Sequence, residues 1–204
     1  PKSREMALVN PDTRERYVRM LGWPADRLRI IVARLDCERY KPLDISPSQV
    51  FDKYGVNDDA PMVSLVTRVD IGKWPAIELF LSAAQHWFRT RSEDLPARFV
   101  IVGGGPLLPK LRERITLLGK HAFLFATGEL LNIPEVMNAS TVVLGMASTC
   151  QQGLACGRPV IVLGERGFSA IVEPTSFDFL AAHHFNVHQQ VNDEQPEPLC
   201  QQIE

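Results

Sequence analysis

From Pro61 onward, short apolar runs alternate along the chain with longer amphipathic segments. Runs of four to six apolar residues are typical of buried strands, and apolar residues three and four positions apart are typical of a helix with one buried face. The predicted strands are 62–67, 98–102, 122–126, 141–144 and 160–163, and the predicted helices between them are 74–90, 107–118 and 133–138. Because continuous apolar strands alternate with helices, the pattern predicts a doubly wound parallel α/β sheet of the Rossmann-like kind.

The two ends of the chain have weaker patterns. Residues 1–10 show no regular pattern. The remaining terminal segments are interpreted as a helix at 11–21 with Asn10 as its cap, a strand at 28–33, a proline-containing linker at 34–48, a helical turn at 49–54, a strand at 177–180 and a helix at 196–203. The chain therefore divides into an N-terminal segment and linker, 1–57, the sheet domain, 58–190, and a C-terminal tail, 191–204.

Residues 140–164 form one compact strand, helix, strand unit. Gly145 permits a tight turn after the first strand, Ser148 or Thr149 can cap the helix, and Gly157 can end it. A helix that begins just past the carboxyl end of a strand directs unpaired backbone N–H groups at one place, where an anion can bind. The pattern favours an anion site here, although an ordinary crossover without a ligand has the same pattern.

Two cations, Arg68 and Lys73, follow the first strand of the sheet domain. Loops at the carboxyl ends of parallel strands line the ligand crevice of a doubly wound sheet, so this loop is expected near the Gly145 turn. Arginine offers a planar fork and lysine a compact charge, a combination that suits a diphosphate. The alternative is two solvated surface cations.

A glycine run, Gly103, Gly104 and Gly105, follows the strand at 98–102 and precedes a helix. This context resembles a dinucleotide fingerprint, but Leu108 stands where the third glycine is required. Close passage of the backbone near a ligand, or the chemistry of a helix start, explains the run better than nicotinamide or flavin binding does.

Composition excludes several classes of protein and partner. The chain has 204 residues, 45% of them apolar and 23% charged, which is enough for one substantial core. A formal net charge of −2 with both signs scattered gives no reason to expect nucleic acid as a partner. No apolar run reaches the length of a membrane span, so no integral membrane segment is expected. A start at Pro1 without an initiator methionine favours a fragment of a longer protein.

Cysteine and histidine spacings do not predict a metal site. Cys37, Cys150, Cys156 and Cys200 form no C-x-x-C pair and have apolar neighbours, which favours thiols in a reducing compartment such as the cytoplasm. Three histidines, His183, His184 and His188, have no acidic or thiol ligand at matching spacing. We therefore expect neither a metal nor a cofactor.

Taken together, the chain resembles the C-terminal, donor-binding domain of retaining glycosyltransferases with the GT-B fold, the large family four. Four segments of this chain resemble family motifs. Arg34 to Pro42 resembles the entry into the domain, and Arg68 and Lys73 resemble the "GR…K" loop. Ile101 to Pro106 resembles the glycine strand, and Gln152 to Val160 resembles the "EAmAcGrPV" segment. The resemblance covers about residues 28–175.

The resemblance implies transfer of a sugar from a nucleotide-sugar to an unknown acceptor, with Arg68 and Lys73 on the donor diphosphate. It also implies that Gly145, Ser148 and Thr149 hold the diphosphate through a helix N-terminus, and that no metal or cofactor is needed. The family's base and ribose positions correspond to Thr127, Glu129, Leu130 and Gln152 in this sequence. A GT-B enzyme closes a cleft between two similar domains, so a second, N-terminal domain is expected as a partner.

Two departures from the family bear on catalysis. The family has two glutamates eight positions apart, and this chain has Leu144 and Gln152 at those positions. The fragment alone is therefore not expected to turn over, and a catalytically degenerate nucleotide-binding or assembly domain is the alternative function. Apolar surface that the second domain would cover is expected to be bare, which would favour self-association.

Overall fold

A computed structural model describes residues 5–9, 11–31, 34–90, 97–119, 123–164, 168–187 and 196–203. The strands are β1 (Met6–Leu8), β2 (Leu28–Ile30), β3 (Met62–Val66), β4 (Arg98–Val102), β5 (Leu124–Gly128), β6 (Val142–Gly145), β7 (Val160–Leu163) and β8 (Ser169–Ile171). The α-helices are α1 (Pro11–Leu21), α2 (Pro47–Phe51), α3 (Trp74–Thr90), α4 (Leu108–Leu118), α5 (Ile133–Ala139), α6 (Ser148–Ala155), α7 (Pro174–Ala182) and α8 (Pro196–Ile203).

The main sheet has six strands in the spatial order β5-β4-β3-β6-β7-β8. The first five are parallel, and β8 pairs antiparallel with β7 at one edge. From β3 the chain builds outward through β4 to β5 and then returns to the other side of β3 with β6. The strand order therefore reverses between β3 and β6, as it does in a doubly wound Rossmann-like sheet, and the predicted fold class is confirmed.

Helices cover both faces of this sheet, which explains why its strands are continuous apolar runs. On one face, Phe80 of α3 and Leu111 of α4 are fully buried against Phe99 of β4. The C-terminal helix α8 packs on α3 and buries Leu199 in the same core. Burial of a side chain of this size stabilises the fold by about 1.5 to 3 kcal/mol.

The opposite face is covered partly by residues that precede the sheet domain. Phe51 of α2 is fully buried with Met62, Val100 and Val136. Further upstream, Lys41 and Leu43 are bound to the Asn138 side chain of α5. That side chain accepts a hydrogen bond from the Leu43 N–H at 2.7 Å and donates one to the Lys41 carbonyl at 3.0 Å. The predicted linker is thus fixed to the sheet domain at several points, and the boundaries at 57/58 and 190/191 stay predictions.

Several segments differ from the sequence prediction. The strand predicted at 122–126 lies at Leu124–Gly128, and β8 was not predicted. Residues 6–8, for which no regular pattern was expected, form β1, which pairs parallel with β2. Residues 177–180 were predicted as a strand and are helical in α7, because Pro174 begins a helix and the Glu173 side chain and Ser176 form a capping box. In this helix Phe177 and Phe179 are about half exposed, and only Leu180 is fully buried.

The small N-terminal unit of β1, α1 and β2 leaves apolar side chains in solvent. Met20 and Leu21 are both 63% exposed, and Ile31 is 61% exposed. Asn10, the predicted cap of α1, lies outside the described residues, as do residues 32–33 of the strand predicted at 28–33. In the part of the chain that the structure describes, the helices are too short or too polar to cross a membrane.

Candidate nucleotide-binding cleft

A cleft of about 670 Å³ opens at the carboxyl ends of β3 and β4, beside the point where the strand order reverses. This is the position at which doubly wound sheets bind their ligands. The described residues that line it are Val66, Thr67, Arg68, Val102, Gly103, Gly104, Gly105, Glu129, Leu130, Ile133 and Thr149.

The floor of the cleft is made where the glycine loop after β4 meets the loop after β3. Gly103 and Gly105 have φ angles of 149° and 153°, and a Cβ on either would collide with the carbonyl oxygen of Thr67 or Val69, respectively. The Val69 N–H donates to the Gly104 carbonyl at 2.9 Å. Glycine is therefore required at 103 and 105 because two backbones are in contact there. The sequence predicted close passage of this backbone near a ligand; the structure shows close passage near the neighbouring loop, and contact with a ligand stays a prediction.

Arg68 projects from this floor into solvent, with 76% of its side chain exposed. Its Nε lies 3.6 Å from Oδ2 of Asp70, whose side chain is 28% exposed. The other carboxylate oxygen, Oδ1, accepts the N–H groups of Gly72 at 3.0 Å and Lys73 at 3.1 Å. One carboxylate thus contacts the guanidinium group and fixes the turn that leads into α3.

Lys73 reaches from the β3 loop to the turn after β6. Its Nζ lies 3.2 Å from Sδ of Met146, the residue that follows Gly145. Met146 is 8% exposed, so the lysine stem lies along a buried side chain. The prediction that this cation and the Gly145 turn lie close together is confirmed by the geometry, whereas a role for either in binding stays a prediction.

The turn between β6 and α6 has an unusual backbone. Ala147, directly before the helix, has a φ of 48° and a ψ of −121°, and its N–H donates to the Phe185 carbonyl at 2.8 Å. The Thr149 N–H donates to the Met146 carbonyl at 3.1 Å. Two of the backbone donors in the predicted anion site are therefore already used within the protein, and fewer N–H groups are left for a ligand than the sequence predicts. A non-glycine residue at positive φ costs of order 1 to 3 kcal/mol, and such residues cluster at functional sites.

The predicted side-chain cap of α6 is not formed. Ser148 is exposed, while the Thr149 hydroxyl donates to the Val66 carbonyl at 3.3 Å, so neither side chain caps the helix. A Cβ at Gly145 would collide with the Thr149 methyl group, which explains the glycine. Burial raises the pKa of the Cys150 thiol well above its usual range, so this cysteine is not a candidate nucleophile.

The loop after β5 forms the opposite wall. Glu129 is exposed, and its Cβ lies 3.2 Å from the position that a Cβ on Gly104 would take. Thr127 is buried and does not face the cleft; its hydroxyl donates to the Gly128 carbonyl at 2.8 Å. The Tyr54 hydroxyl and the Arg112 Nη2 both donate to the Thr127 carbonyl at 3.3 Å and hold this loop.

A second, smaller cleft of about 360 Å³ adjoins the first and shares Glu129 and Leu130 with it. Helix α2 and the residues after it contribute Val50 and Lys53 to its wall. The remaining lining residues, all from the loop after β5 and from α5, are Leu131, Asn132, Glu135 and Val136. The two clefts together form a depression with apolar patches and both signs of charge.

Seven of the residues predicted from the sequence thus line the main cleft, namely Arg68, Gly103, Gly104, Gly105, Glu129, Leu130 and Thr149. The other five predicted residues are not among the described residues that line it, namely Lys73, Thr127, Gly145, Ser148 and Gln152. Gln152 is half-buried within α6. The sequence interpretation missed Asp70, although an aspartate two and three residues before backbone N–H groups at a helix start is a recognised turn signal.

Histidines do not form a metal site in the described structure. His183 is half-buried and its Nδ1 lies 2.8 Å from the Phe179 carbonyl, while His188 lies outside the described residues. Within the described ranges, no three His, Cys, Asp or Glu side chains are grouped so that they could hold a metal ion.

Comparison with known sequences identifies the family. The profile of the family described as "Glycosyl transferases group 1" matches residues 60–192, which is well over half of the chain. The chain belongs to the group 1 glycosyltransferase family. The match spans the sheet from before β3 to beyond α7, and therefore includes every residue of the main cleft.

Solved structures of other proteins have the same fold. HepE from Anabaena, crystallised in complex with UDP and glucose, is 18% identical and superimposes with a TM-score of 0.62 over 78% of this chain and 44% of its own length. A glycosyltransferase from Rickettsia africae ESF-5 is 14% identical, with a TM-score of 0.71 over 98% of this chain and 52% of its own. At these identities the likeness shows the fold alone, that of one Rossmann-like half of a GT-B glycosyltransferase.

The chain spans about half the length of the solved structures that it matches. The Rickettsia structure extends the likeness to nearly all of this chain, including the upstream segment that packs under the sheet. No curated protein gives a significant match.

Proposed function

We propose that this chain is the donor-binding half of a retaining, family-four-like GT-B glycosyltransferase, and that the main cleft binds the nucleotide-sugar. The observation that carries the proposal is the cleft at the strand-order reversal, in which Arg68 stands over a floor of glycine backbone. Gly103 and Gly105 let the loops after β3 and β4 pack backbone against backbone, so the floor beneath Arg68 is main chain that a diphosphate can approach.

The chemical role that we assign to the cations is stabilisation of the leaving nucleotide. When the bond between the sugar and the diphosphate breaks, negative charge develops on the phosphate oxygens. Preorganised cations near those oxygens stabilise the transition state, in which this charge develops, more than they stabilise the ground state. Arg68 would contact the diphosphate directly, and Lys73 would contribute from the edge of the cleft, so that this scheme requires no bound metal.

The loop after β5 is the proposed site of the nucleoside. Glu129 and Leu130 belong to both clefts, so a ligand with its diphosphate over the glycine floor can extend past them into the smaller cleft. HepE was crystallised with UDP and glucose, which supports a nucleotide ligand for this fold and leaves the base and sugar of this chain's own donor open. We also propose that the sugar is transferred to an acceptor, whose identity is open, and that the protein acts in the cytoplasm.

A second candidate function is a nucleotide-binding or assembly domain without chemistry. It is favoured by Leu144, which stands at the first glutamate position of the family, pairs with Leu65 in the sheet and is fully buried. No carboxylate can therefore act from that position. Gln152, at the second glutamate position, can hydrogen-bond a ribose but lacks the charge that strengthens such a bond.

The test is calorimetric titration with a panel of nucleoside diphosphates and the corresponding nucleosides. We expect Arg68→Ala to weaken diphosphate binding by roughly ten- to a hundredfold, because a charged hydrogen bond contributes about 1.5 to 3 kcal/mol. Nucleoside binding should change little. Arg114→Ala is the matched control, since Arg114 is a half-exposed arginine that pairs with Glu78 away from the cleft.

The two functions are separated by a second measurement on a longer protein that includes the partner domain. Binding of a nucleotide-sugar together with hydrolysis or transfer of its sugar supports the enzyme. Binding without either reaction supports the non-catalytic domain, and a failure of every nucleoside diphosphate to bind refutes both nucleotide-based functions.

A further inference from the structure

We infer that Asp70 positions Arg68 and the backbone of Lys73 and thereby strengthens diphosphate binding, although it does not itself contact the ligand. This inference rests on the proposed function, because it concerns the same diphosphate. Asp70 is two residues from Arg68 and three from Lys73, in the loop between β3 and α3. It does not line the cleft, so any effect on binding acts through its neighbours.

The two oxygens of the Asp70 carboxylate have separate partners. Oδ1 accepts the backbone N–H groups of Gly72 and Lys73, which fixes the direction in which the Lys73 side chain leaves the backbone. Oδ2 lies 3.6 Å from the Nε of Arg68. A single carboxylate thus contacts the Arg68 side chain and holds the backbone from which the Lys73 side chain extends.

Arg68 needs such a partner because its side chain is 76% exposed. A long side chain in solvent samples many rotamers, and each must be given up when a ligand binds. Contact through Nε leaves the two terminal nitrogens of the guanidinium group for a ligand, in the planar arrangement that matches phosphate oxygens. The carboxylate therefore orients the donors of the fork without using all of them.

A negative charge near an anion site also repels the anion, so the two effects of Asp70 oppose each other. Repulsion is weakened here because the two N–H groups and the guanidinium group already face the carboxylate. It is weakened further because 28% of the Asp70 side chain is exposed to screening water. We expect positioning to be the larger effect, which gives the test a defined sign.

The experiment compares Asp70→Asn with wild type by calorimetric titration of UDP and GDP, each alongside its nucleoside. Asparagine keeps an oxygen that can accept the N–H groups of Gly72 and Lys73 but has no charge for Arg68. We expect a loss of about fivefold in diphosphate affinity, with an unchanged melting temperature and unchanged nucleoside binding. Asp178→Asn, which removes an exposed carboxylate on α7, is the control for net charge.

A double-mutant cycle tests whether Asp70 acts through Arg68. In an Arg68→Ala background, Asp70→Asn should cause no further loss, whereas a merely structural role would cause the same loss in both backgrounds. Asp70→Ser, which keeps a capping oxygen in a shorter side chain, is the second variant if the asparagine protein unfolds.

The outcomes separate this inference from the proposed function. If wild type binds neither UDP nor GDP, no diphosphate site for these nucleotides exists, and the inference is refuted together with the donor-binding proposal for them. If wild type binds and Asp70→Asn binds equally or more tightly, or loses affinity equally with and without Arg68, then Asp70 is not a positioning residue and the donor cleft stands.

Discussion

Two arginine–aspartate pairs lie at opposite ends of the central strands. They differ in how many guanidinium nitrogens contact the carboxylate and in how much of the arginine is exposed. At the amino end of β4, Arg98 donates through Nε and Nη2 to the two oxygens of Asp58 at 3.0 and 2.8 Å, and only 11% of its side chain is exposed. At the carboxyl end of β3, the contact between Arg68 and Asp70 is a single one of 3.6 Å, and most of the arginine is in solvent.

The difference teaches what distinguishes a structural ion pair from a binding group. Arg98 is also stacked over the Phe123 ring, with its Cζ 5.8 Å from the ring centroid. Its geometry is two-pronged and partly desolvated, which makes it a strong pair. Arg68 has one loose partner and so retains donors for a ligand. The same residue types thus stabilise the fold at one end and form a candidate binding site at the other.

The largest expected effect is on stability. Arg98→Ala should lower the free energy of unfolding by about 2 kcal/mol, because it removes charged hydrogen bonds and aromatic packing from a mostly buried side chain. Arg68→Ala should change it by less than about 0.5 kcal/mol. Urea unfolding of both variants measures the difference, and equal losses would contradict the division into a structural and a binding pair.

Exchange of each arginine for lysine sharpens the comparison. Arg98→Lys should still cost about 1 kcal/mol of stability, since an ammonium group cannot make the two-pronged contact with Asp58. Arg68→Lys should leave stability unchanged and reduce diphosphate affinity by only about fivefold, because the charge remains. If Arg98→Lys is as stable as wild type, the fork geometry is not what matters at Arg98.

The pH dependence of stability should come from the amino-end pair. The hydrogen bond from Arg98 lowers the pKa of the Asp58 carboxyl below its ordinary value, against a smaller opposing effect of burial. A lowered folded-state pKa means that this stabilisation is present above the unfolded pKa of about 3.9 and is lost as pH falls through the folded value. Asp58→Asn should therefore be less stable than wild type at neutral pH, and the gap should shrink in acid. A gap that is constant with pH would show that the pair's charge is unimportant.

The smallest expected effect is that of salt. Raising ionic strength from about 0.05 M to about 0.5 M should weaken diphosphate binding by roughly threefold, since exposed charges are screened. The dependence should be shallower for Arg68→Ala. Equal salt slopes for the two proteins, measured by titration, would place the anion elsewhere than at Arg68.

The sequence predicts the centre of this fold better than its margins. β3 to β7 were predictable because each strand is an uninterrupted apolar run between helices that bury one face. β1 and β8 are three-residue strands at the margins of their sheets, too short to produce a periodic pattern. Residues 177–180 were wrongly predicted as a strand, because the signal for a helix lies upstream of them, at Pro174 and the capping box.

At the candidate site, the sequence predicted which loops meet but not which atoms are free. Parallel strand order is enough to bring Arg68, the glycine run and Glu129 to one edge of the sheet. It does not predict that Phe185, nearly forty residues downstream, accepts the Ala147 N–H, or that Thr149 contacts Val66 instead of capping its own helix. These are tertiary hydrogen bonds between segments far apart in sequence, and no local pattern encodes them.

The contact between the glycine loop and the residues after β3 also bears on how the cleft can diversify. Its floor is main chain on both sides, with no room for a Cβ at Gly103 or Gly105. Any other residue at these two positions would collide with the neighbouring backbone, so the shape of the floor depends on glycine at both. Glu129 and Leu130, which line both clefts, are instead positions where a substitution would change the wall of the cleft and leave its floor in place.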